Sequence, residues 1–467
     1  MLNPVTADEP LYPPRVQPVA KPLRFPFYLP KLLSNNLESI PAQAYEESVV
    51  IGRGPPRMAW FTGAEAVKAL LFDGASEFPK GRVQNGIFRP LFGEAMITAE
   101  GRDWRWQRGA AAPLFRHEEI MRYGDVMGAA AAATVATWRA ADPDTVHPIH
   151  THMMRAAFAV ISRTMLAGGA DDVLEAIALG HADYYRGVNW WTVYTIFGLP
   201  HWLPRPRGRA MRAHETRLRT AVAELVEARH DTPERDDLIT KLLSSPDPET
   251  GQEMTDALLV DNIVAFLMAG YDTTALALTW TVYLISQSSQ WEARMLEEIM
   301  RVVGEGPVGS VHAAKLPTVQ QVLNESLRLY PTAPIIIRDV HQETEIDGTV
   351  VPAGTIGIIP IYAIHRHRAF WRDPDRFDPD RFAPDGPVKP NRYQFMPFGV
   401  GPRICIGAAF SMMEATIMLA TFVRAAHFEY ASAAPPVPSG QMFLLPRDGM
   451  FMRVTPREKV RQRQSAA

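Results

Sequence analysis

A chain of 467 residues with 47% hydrophobic and 21% charged side chains has ample material for a packed core, which excludes a disordered protein. Its formal net charge of −3 leaves no basic footprint for a nucleic-acid partner. A lone cysteine, Cys405, excludes an intrachain disulfide framework and predicts a reducing, cytoplasmic location.

Residues 1–44 open with eight prolines in the first thirty positions. Each proline biases its predecessor away from helix, so a partly extended arm without chemistry is predicted. No basic segment precedes an apolar run there, so neither a signal peptide nor a membrane anchor is expected. Ser48 to Arg53 and Met58 to Thr62 read as strands parted by Gly54-Pro55-Pro56, and Ala64 to Phe72 has helical spacing. From Phe78 to Met96, Gly81, Gly86, Pro90 and Gly93 predict a loop, with Phe88 as a pocket candidate. Trp104 and Arg108, at i and i+4, share a helix face and can donate hydrogen bonds to one anionic group. Ala129 to Thr137, Thr151 to Leu166, Asp171 to Tyr185 and Met211 to Arg229 read as helices. The segment Val188 to Arg209, with Trp190, Trp191 and Trp202 among arginines, reads equally as an access lid, a membrane-surface patch or core packing.

Thr255 to Ser286 reads as one long helix. Its stretch Ile263 to Ile285 is long enough to span a membrane, but Asp272 at the middle would be costly in lipid, so a buried functional helix is expected. In Ala269-Gly270-Tyr271-Asp272-Thr273-Thr274, small residues stand beside a hydroxyl and a carboxylate that can order water and pass protons. Glu325 and Arg328, at i and i+3, share a face of the next helix, which ends before Pro331. Ile335 to Val340, Thr349 to Val351 and Thr355 to Ile361 read as strands. His365 and His367 lack a third ligand close by and are predicted to be solvated loop histidines. Ala408 to Arg424 reads as an apolar helix, Met442 to Val454 as hairpin-like, and 457–467 as a basic solvated tail.

Cys405 stands just before the Ala408 helix, where free amide groups and the helix dipole favour a thiolate, and it reads as a metal ligand. Glycines at 399, 401 and 407 allow a tight turn and the approach of something flat. Arg403 offers a planar fork for a carboxylate. Thiolate, carboxylate partner and flat body together describe a haem with its propionates. A dinucleotide loop is excluded, because Gly399-Val-Gly401 lacks the third glycine of that pattern. Phe398, Gly401, Arg403, Cys405 and Gly407 match Phe-x-x-Gly-x-Arg-x-Cys-x-Gly, and on these residues the chain resembles the cytochrome P450 superfamily, in its soluble bacterial form, over about residues 45–456.

The resemblance implies a mainly α fold with a small β region: a single haem-thiolate domain, 45–456, between the arm 1–44 and the tail 457–467. It implies haem b (iron protoporphyrin IX) and monooxygenation of a small apolar organic substrate with O2, with electrons from NAD(P)H through a separate ferredoxin and its reductase. Cys405 is then the axial ligand. Trp104, Arg108, Arg338 and Arg403 hold the propionates, while Ala269, Phe398, Gly399 and Gly407 lie against the haem. Asp272 and Thr273 deliver protons, and Glu325, Arg328 and Arg381 form a buried network. Phe88, Ala265, Phe266, Ala333, Ile335 and Phe443 line the substrate pocket. The ferredoxin would dock where Arg108, Arg116 and Arg403 cluster. Too few residues follow Cys405 for a fused electron-transfer domain, and the protein is expected to be a monomer without a nucleic-acid partner. A peroxide-using or rearranging haem-thiolate enzyme and a non-catalytic haem sensor are the alternatives, and neither needs the Asp-Thr pair.

Overall fold

The computed structural model describes residues 9–24, 26–166, 168, 171–178, 181–200, 202–230, 237–386 and 389–457. The basic tail past 457 lies outside the described residues. Two short apolar runs, β1 (Val49–Ile51) and β2 (Met58–Phe61), pair antiparallel with Val50 opposite Trp60. The segment read as a loop is a helix, α1 (Gly81–Phe92), which carries Pro90 in its last turn. Val83, Ile87 and Leu91 recur every four residues and form an apolar stripe, with Val83 and Leu91 buried. That burial outweighs the one hydrogen bond lost at Pro90.

Longer helices that follow include α2 (Gly101–Ala111), α3 (Gly124–Ala140), α4 (Ile149–Met165), α5 (His181–Ile196) and α6 (Gly208–His230). The helix expected from Asp171 to Tyr185 is helical over Asp171–Ala178 and again from His181, and residues 179 and 180 lie outside the described residues. Then comes α7 (Asp256–Ser286), whose first turn is fixed by the Thr255 hydroxyl accepting the Leu258 N–H at 3.3 Å. It is apolar on nearly every face, as a helix enclosed by others must be. It packs against α4, α6, α8 (Pro317–Leu329) and, once the chain returns, α9 (Ala408–Ala425). Among the described residues α7 and α9 are long and apolar enough to cross a membrane, but 78% and 67% of their apolar windows are buried, which marks them as core helices.

Between α8 and α9, β3 (Ile336–Val340) and β4 (Thr355–Ile359) complete a four-stranded sheet in the order β1-β2-β4-β3. β2 runs parallel to β4, and β3 antiparallel, with Arg338 opposite Gly357. The expected C-terminal hairpin does not form. Leu444–Pro446 pairs with Pro438–Gly440, whereas Phe451–Pro456 joins Ala426–Tyr430 and Val146–Pro148 in a second sheet. A lone hairpin is marginal, and the three-stranded arrangement buries Met452 and Val454. The N-terminal arm holds a short helix, Leu29–Ser34, and its Leu32 and Ile40 reach the central cavity.

His365 and His367 are buried, contrary to the solvated loop expected from the sequence. The His365 ring accepts the Met396 N–H at 2.9 Å, and burial beside Arg328 and Arg366 pushes its pKa down to about 3, so it is neutral. His367 stacks on Phe370 with ring centroids 4.4 Å apart. Both are recruited by a charge network that no local spacing announces. Arg328 makes a bidentate ion pair with Glu325, at 2.7 and 2.8 Å, with both side chains fully buried. The same guanidinium donates to the carbonyls of His365, Pro374 and Arg376, and Glu325 also accepts the Asp378 N–H. Arg381 approaches Glu325 at 3.6 Å while its other nitrogens hold the carbonyls of Arg372 and Asp373. One cluster thus ties α8 to the chain beyond β4. Arg328→Ala leaves Glu325 buried without its partner and should cost about 3–5 kcal/mol; the denaturant midpoint should drop accordingly, with little folded protein recovered.

Candidate functional site

A cavity of ≈ 440 Å³ lies between α7, the sheet and the segment before α9. The segment owes its shape to glycine: Gly401 has φ +78°, and a Cβ there would stand 1.9 Å from the Leu71 carbonyl oxygen. The turn closes through the Cys405 N–H, which donates to the Phe398 carbonyl at 2.9 Å. Arg108 of α2 braces it by donating to the Ile404 carbonyl at 2.9 Å. Phe398, Gly399, Arg403, Cys405 and Gly407 all line the cavity.

Cys405 has accessible surface, yet that surface opens into the cavity and the sulfur is otherwise enclosed by protein. Burial pushes its pKa up, and the Gly407 N–H and the Arg108 charge offset this only in part. With no ion beside it, that direction favours the thiol. A coordinated metal ion would take its proton. Among the described residues no group of three His, Cys, Asp or Glu could hold a metal by itself, so an ion at Cys405 has to bring its other ligands with it.

At one side of the cavity stand Arg338, Arg403, Trp104 and Arg108. Arg403 pairs with Glu100, donates to the Ala99 carbonyl at 2.8 Å, and lies 4.1 Å over the Trp104 ring. Arg338 is buried and donates to Gln84 at 3.1 Å. Arg108 and Arg403 are only partly buried, and Arg116 is exposed. Lys80, which the sequence reading did not single out, joins this cluster and donates to the Ala99 carbonyl at 3.0 Å. Burial, and next the Arg403 charge, lower its pKa to about 7. Four basic side chains thus face one carboxylate, Glu100, an imbalance suited to a dianionic guest.

The opposite wall is α7. Ala269 and Thr273 face the cavity, the Thr273 hydroxyl donating to the Ala269 carbonyl at 2.7 Å. Gly270 also lines the cavity, and a Cβ there would meet Ile161 of α4 at 2.7 Å. Asp272 does not line the cavity. Successive helix residues are about 100° apart, so the carboxylate beside Thr273 turns towards α4 and α5. There it is fully buried, accepts a short hydrogen bond from the Tyr185 hydroxyl, and lies 4.0 Å from His150. Burial, and next the Asp272 charge, hold Tyr185 well above the usual phenol range, so it remains a donor. Tyr185 and His150 had no sequence signal, since both come from distant helices. Phe88, Ala265, Phe266, Ala333, Ile335 and Phe443 complete an apolar lining.

The cytochrome P450 family profile matches residues 22–454. The chain belongs to the cytochrome P450 family. It is 30% identical over 391 residues to cyclooctat-9-en-7-ol 5-monooxygenase of Streptomyces melanosporofaciens, covering 82% of this chain and 83% of that one. It is 32% identical to pentalenene oxygenase of Streptomyces avermitilis, over 74% of this chain and 76% of that one. The crystal structure of the cytochrome P450DA haem domain shares its fold, with a TM-score of 0.80 at 23% identity, covering 95% of this chain and 98% of that one. This P450 is a monooxygenase whose cofactor is haem b, and the cavity fits that group: one sulfur donor, four basic side chains for two propionates, and apolar walls.

In the Trp190 region, Trp191 lies 3.6 Å beneath the Arg205 guanidinium and Trp202 is 79% exposed, so packing and exposure divide that segment. At Lys80 the charge state yields a test. Lys80 loses its proton at about pH 7; a carboxylate guest beside it would favour the ammonium, so binding of such a guest would take up a proton. Haem affinity of the apoprotein should therefore weaken as pH rises above about 7, and Lys80→Met should flatten that dependence in a haem-transfer titration.

Proposed function

We propose that this P450 inserts one atom of O2 into a small apolar organic substrate, with electrons from NAD(P)H delivered by a separate ferredoxin and its reductase in the cytoplasm. The observation that carries the reading is the Thr273 hydroxyl on the cavity wall facing the Cys405 segment, with a buried carboxylate one residue before it. Haem b, when bound, supplies reductive activation of dioxygen, and a thiolate ligand promotes O–O cleavage. On this reading Cys405 would give that ligand. Trp104, Arg108, Arg338 and Arg403, with Lys80, would hold the propionates.

Thr273 can hold a water in the cavity and pass a proton through its hydroxyl. Asp272 supplies that proton only if its grip on Tyr185 loosens, because the carboxylate is closed to solvent as it stands. Tyr185 also packs on Phe443, with ring centroids 5.8 Å apart, so a substrate pressing on Phe443 disturbs the residue that restrains Asp272. The names of the two Streptomyces relatives favour an apolar cyclic substrate, and the lining agrees: Phe88, Ala265, Phe266, Ala333, Ile335 and Phe443 offer surface but no charge.

General acid help of this kind contributes about 10²–10⁴-fold. Thr273→Ala should keep haem, substrate binding and NAD(P)H consumption while diverting reducing equivalents to hydrogen peroxide. Asp272→Asn should slow turnover more than it uncouples it. The measurement is product formed per NAD(P)H consumed with a working ferredoxin pair; unchanged coupling in Thr273→Ala would contradict the assignment, and turnover with peroxide alone would favour a peroxygenase.

A further inference from the structure

The apolar lining of the cavity is broken where the N-terminal arm meets the C-terminal strand pair. Gln441 and Asn36 line the cavity there, and the Gln441 Oε1 and Asn36 Oδ1 atoms are buried without a hydrogen-bond partner among the described residues. The backbone around them is tightly held. Asn35 donates to the Pro438 carbonyl at 2.9 Å and accepts the Gly440 N–H at 2.8 Å, which fastens the arm to the strand Pro438–Gly440. Asn36 donates to the Gln441 carbonyl at 2.8 Å, and the Gln441 N–H donates to the Phe443 carbonyl at 3.0 Å. Gly440 permits this approach, because a Cβ there would stand 2.4 Å from Asn36 Oδ1. Thr332 belongs to the same end: it lines the cavity, and its carbonyl accepts the Leu444 N–H at 3.0 Å. Glu38 of the arm pairs with Lys31 and Arg447, at 2.6 and 3.6 Å, and none of the three lines the cavity. Packing alone does not account for the two amides, since a buried acceptor left unmatched is costly and an apolar side chain of similar shape would fill the place.

We infer that Gln441, supported by Asn36 and Thr332, is a specificity-determining residue that receives a hydroxyl group of the substrate. The substrate is then a neutral alcohol on an apolar skeleton, and not a bare hydrocarbon, an acid or an amine. A hydroxyl carries the donor that Gln441 Oε1 lacks, and its own oxygen can accept from the Thr332 hydroxyl. A glutamine amide turns readily about its last bond, so its oxygen can be offered to the cavity without moving the clamped backbone. No charged side chain lines this end to balance an ionised group, whose burial would be costly. Holding the hydroxyl between the arm and the strand pair fixes which carbon of the skeleton reaches the Thr273 wall. The inference rests on the monooxygenase reading above for calling the alcohol a substrate, but the subsite shows itself in binding alone.

The test is a titration of the haem-loaded protein, read from the haem absorption spectrum, with decalin, adamantane and perhydrophenanthrene, each beside its alcohol and the methyl ether of that alcohol. Wild type should bind the alcohols about 10-fold to 10²-fold tighter than the hydrocarbons and ethers, which leave the buried acceptor unmatched. Gln441→Leu should abolish that preference while haem content and the spectrum of the reduced carbon monoxide complex stay as in wild type. Gln441→Met, which keeps the length of the side chain, decides the matter if Gln441→Leu does not fold. Equal binding of alcohol and hydrocarbon by wild type, the result if water alone serves Gln441, would overturn the inference, as would failure of all three alcohols to bind. So would a preference that survives Gln441→Leu, as for an alcohol held by the iron itself. Selective alcohol binding lost in Gln441→Leu, but without product from any electron donor, would overturn the monooxygenase reading and leave the subsite standing.

Discussion

Cys405 sits where losing a proton is expensive and a cation is the natural remedy. Its sulfur faces the cavity, and the Gly407 N–H and Arg108 only partly offset the cost of burial. A metal ion supplies the missing charge and takes the proton. Much of the surrounding structure serves to hold that sulfur still. The Phe398 carbonyl closes the turn, Gly401 permits it against Leu71, Arg108 braces it from α2, and the buried Glu325–Arg328 pair fixes α8 to the chain leading towards it.

Because α7 is enclosed on nearly every face, its side chains have separate duties set by 3.6 residues per turn. Ala269 and Thr273 meet the cavity, Asp272 meets Tyr185 and His150, and Thr274 meets Ser411 of α9. Apolar walls exclude water and so strengthen each remaining polar contact. The cationic side is separated from this wall by the cavity itself, so charge for holding a guest and groups for moving protons do not compete.

The long helices were legible because their signals are local. The long apolar run of α7, and Pro331 just past the end of α8, mark these helices without tertiary knowledge. The motif at Phe398–Gly407 and the run Ala269–Thr274 were legible too, and the structure brings both onto one cavity. Errors arose where a long-range partner overrode a local rule. Gly86 and Pro90 speak against helix, but the buried stripe of Val83 and Leu91 wins. His365 and His367 look polar and unpaired in sequence, yet a buried arginine recruits the segment that holds them. Lys80, Tyr185 and His150 carry no spacing signal, because each acquires meaning only from a residue more than eighty positions away or from burial itself.

The account stands on Cys405 as the ligand that the haem finds in this cavity. The most direct measurement is the absorption spectrum of the reduced carbon monoxide complex, for wild type and for Cys405→His. Wild type should show the strongly red-shifted band of thiolate ligation, and Cys405→His should lose that shift while the haem is still bound. A wild-type spectrum like that of a histidine-ligated haem, or one unchanged by Cys405→His, would contradict it.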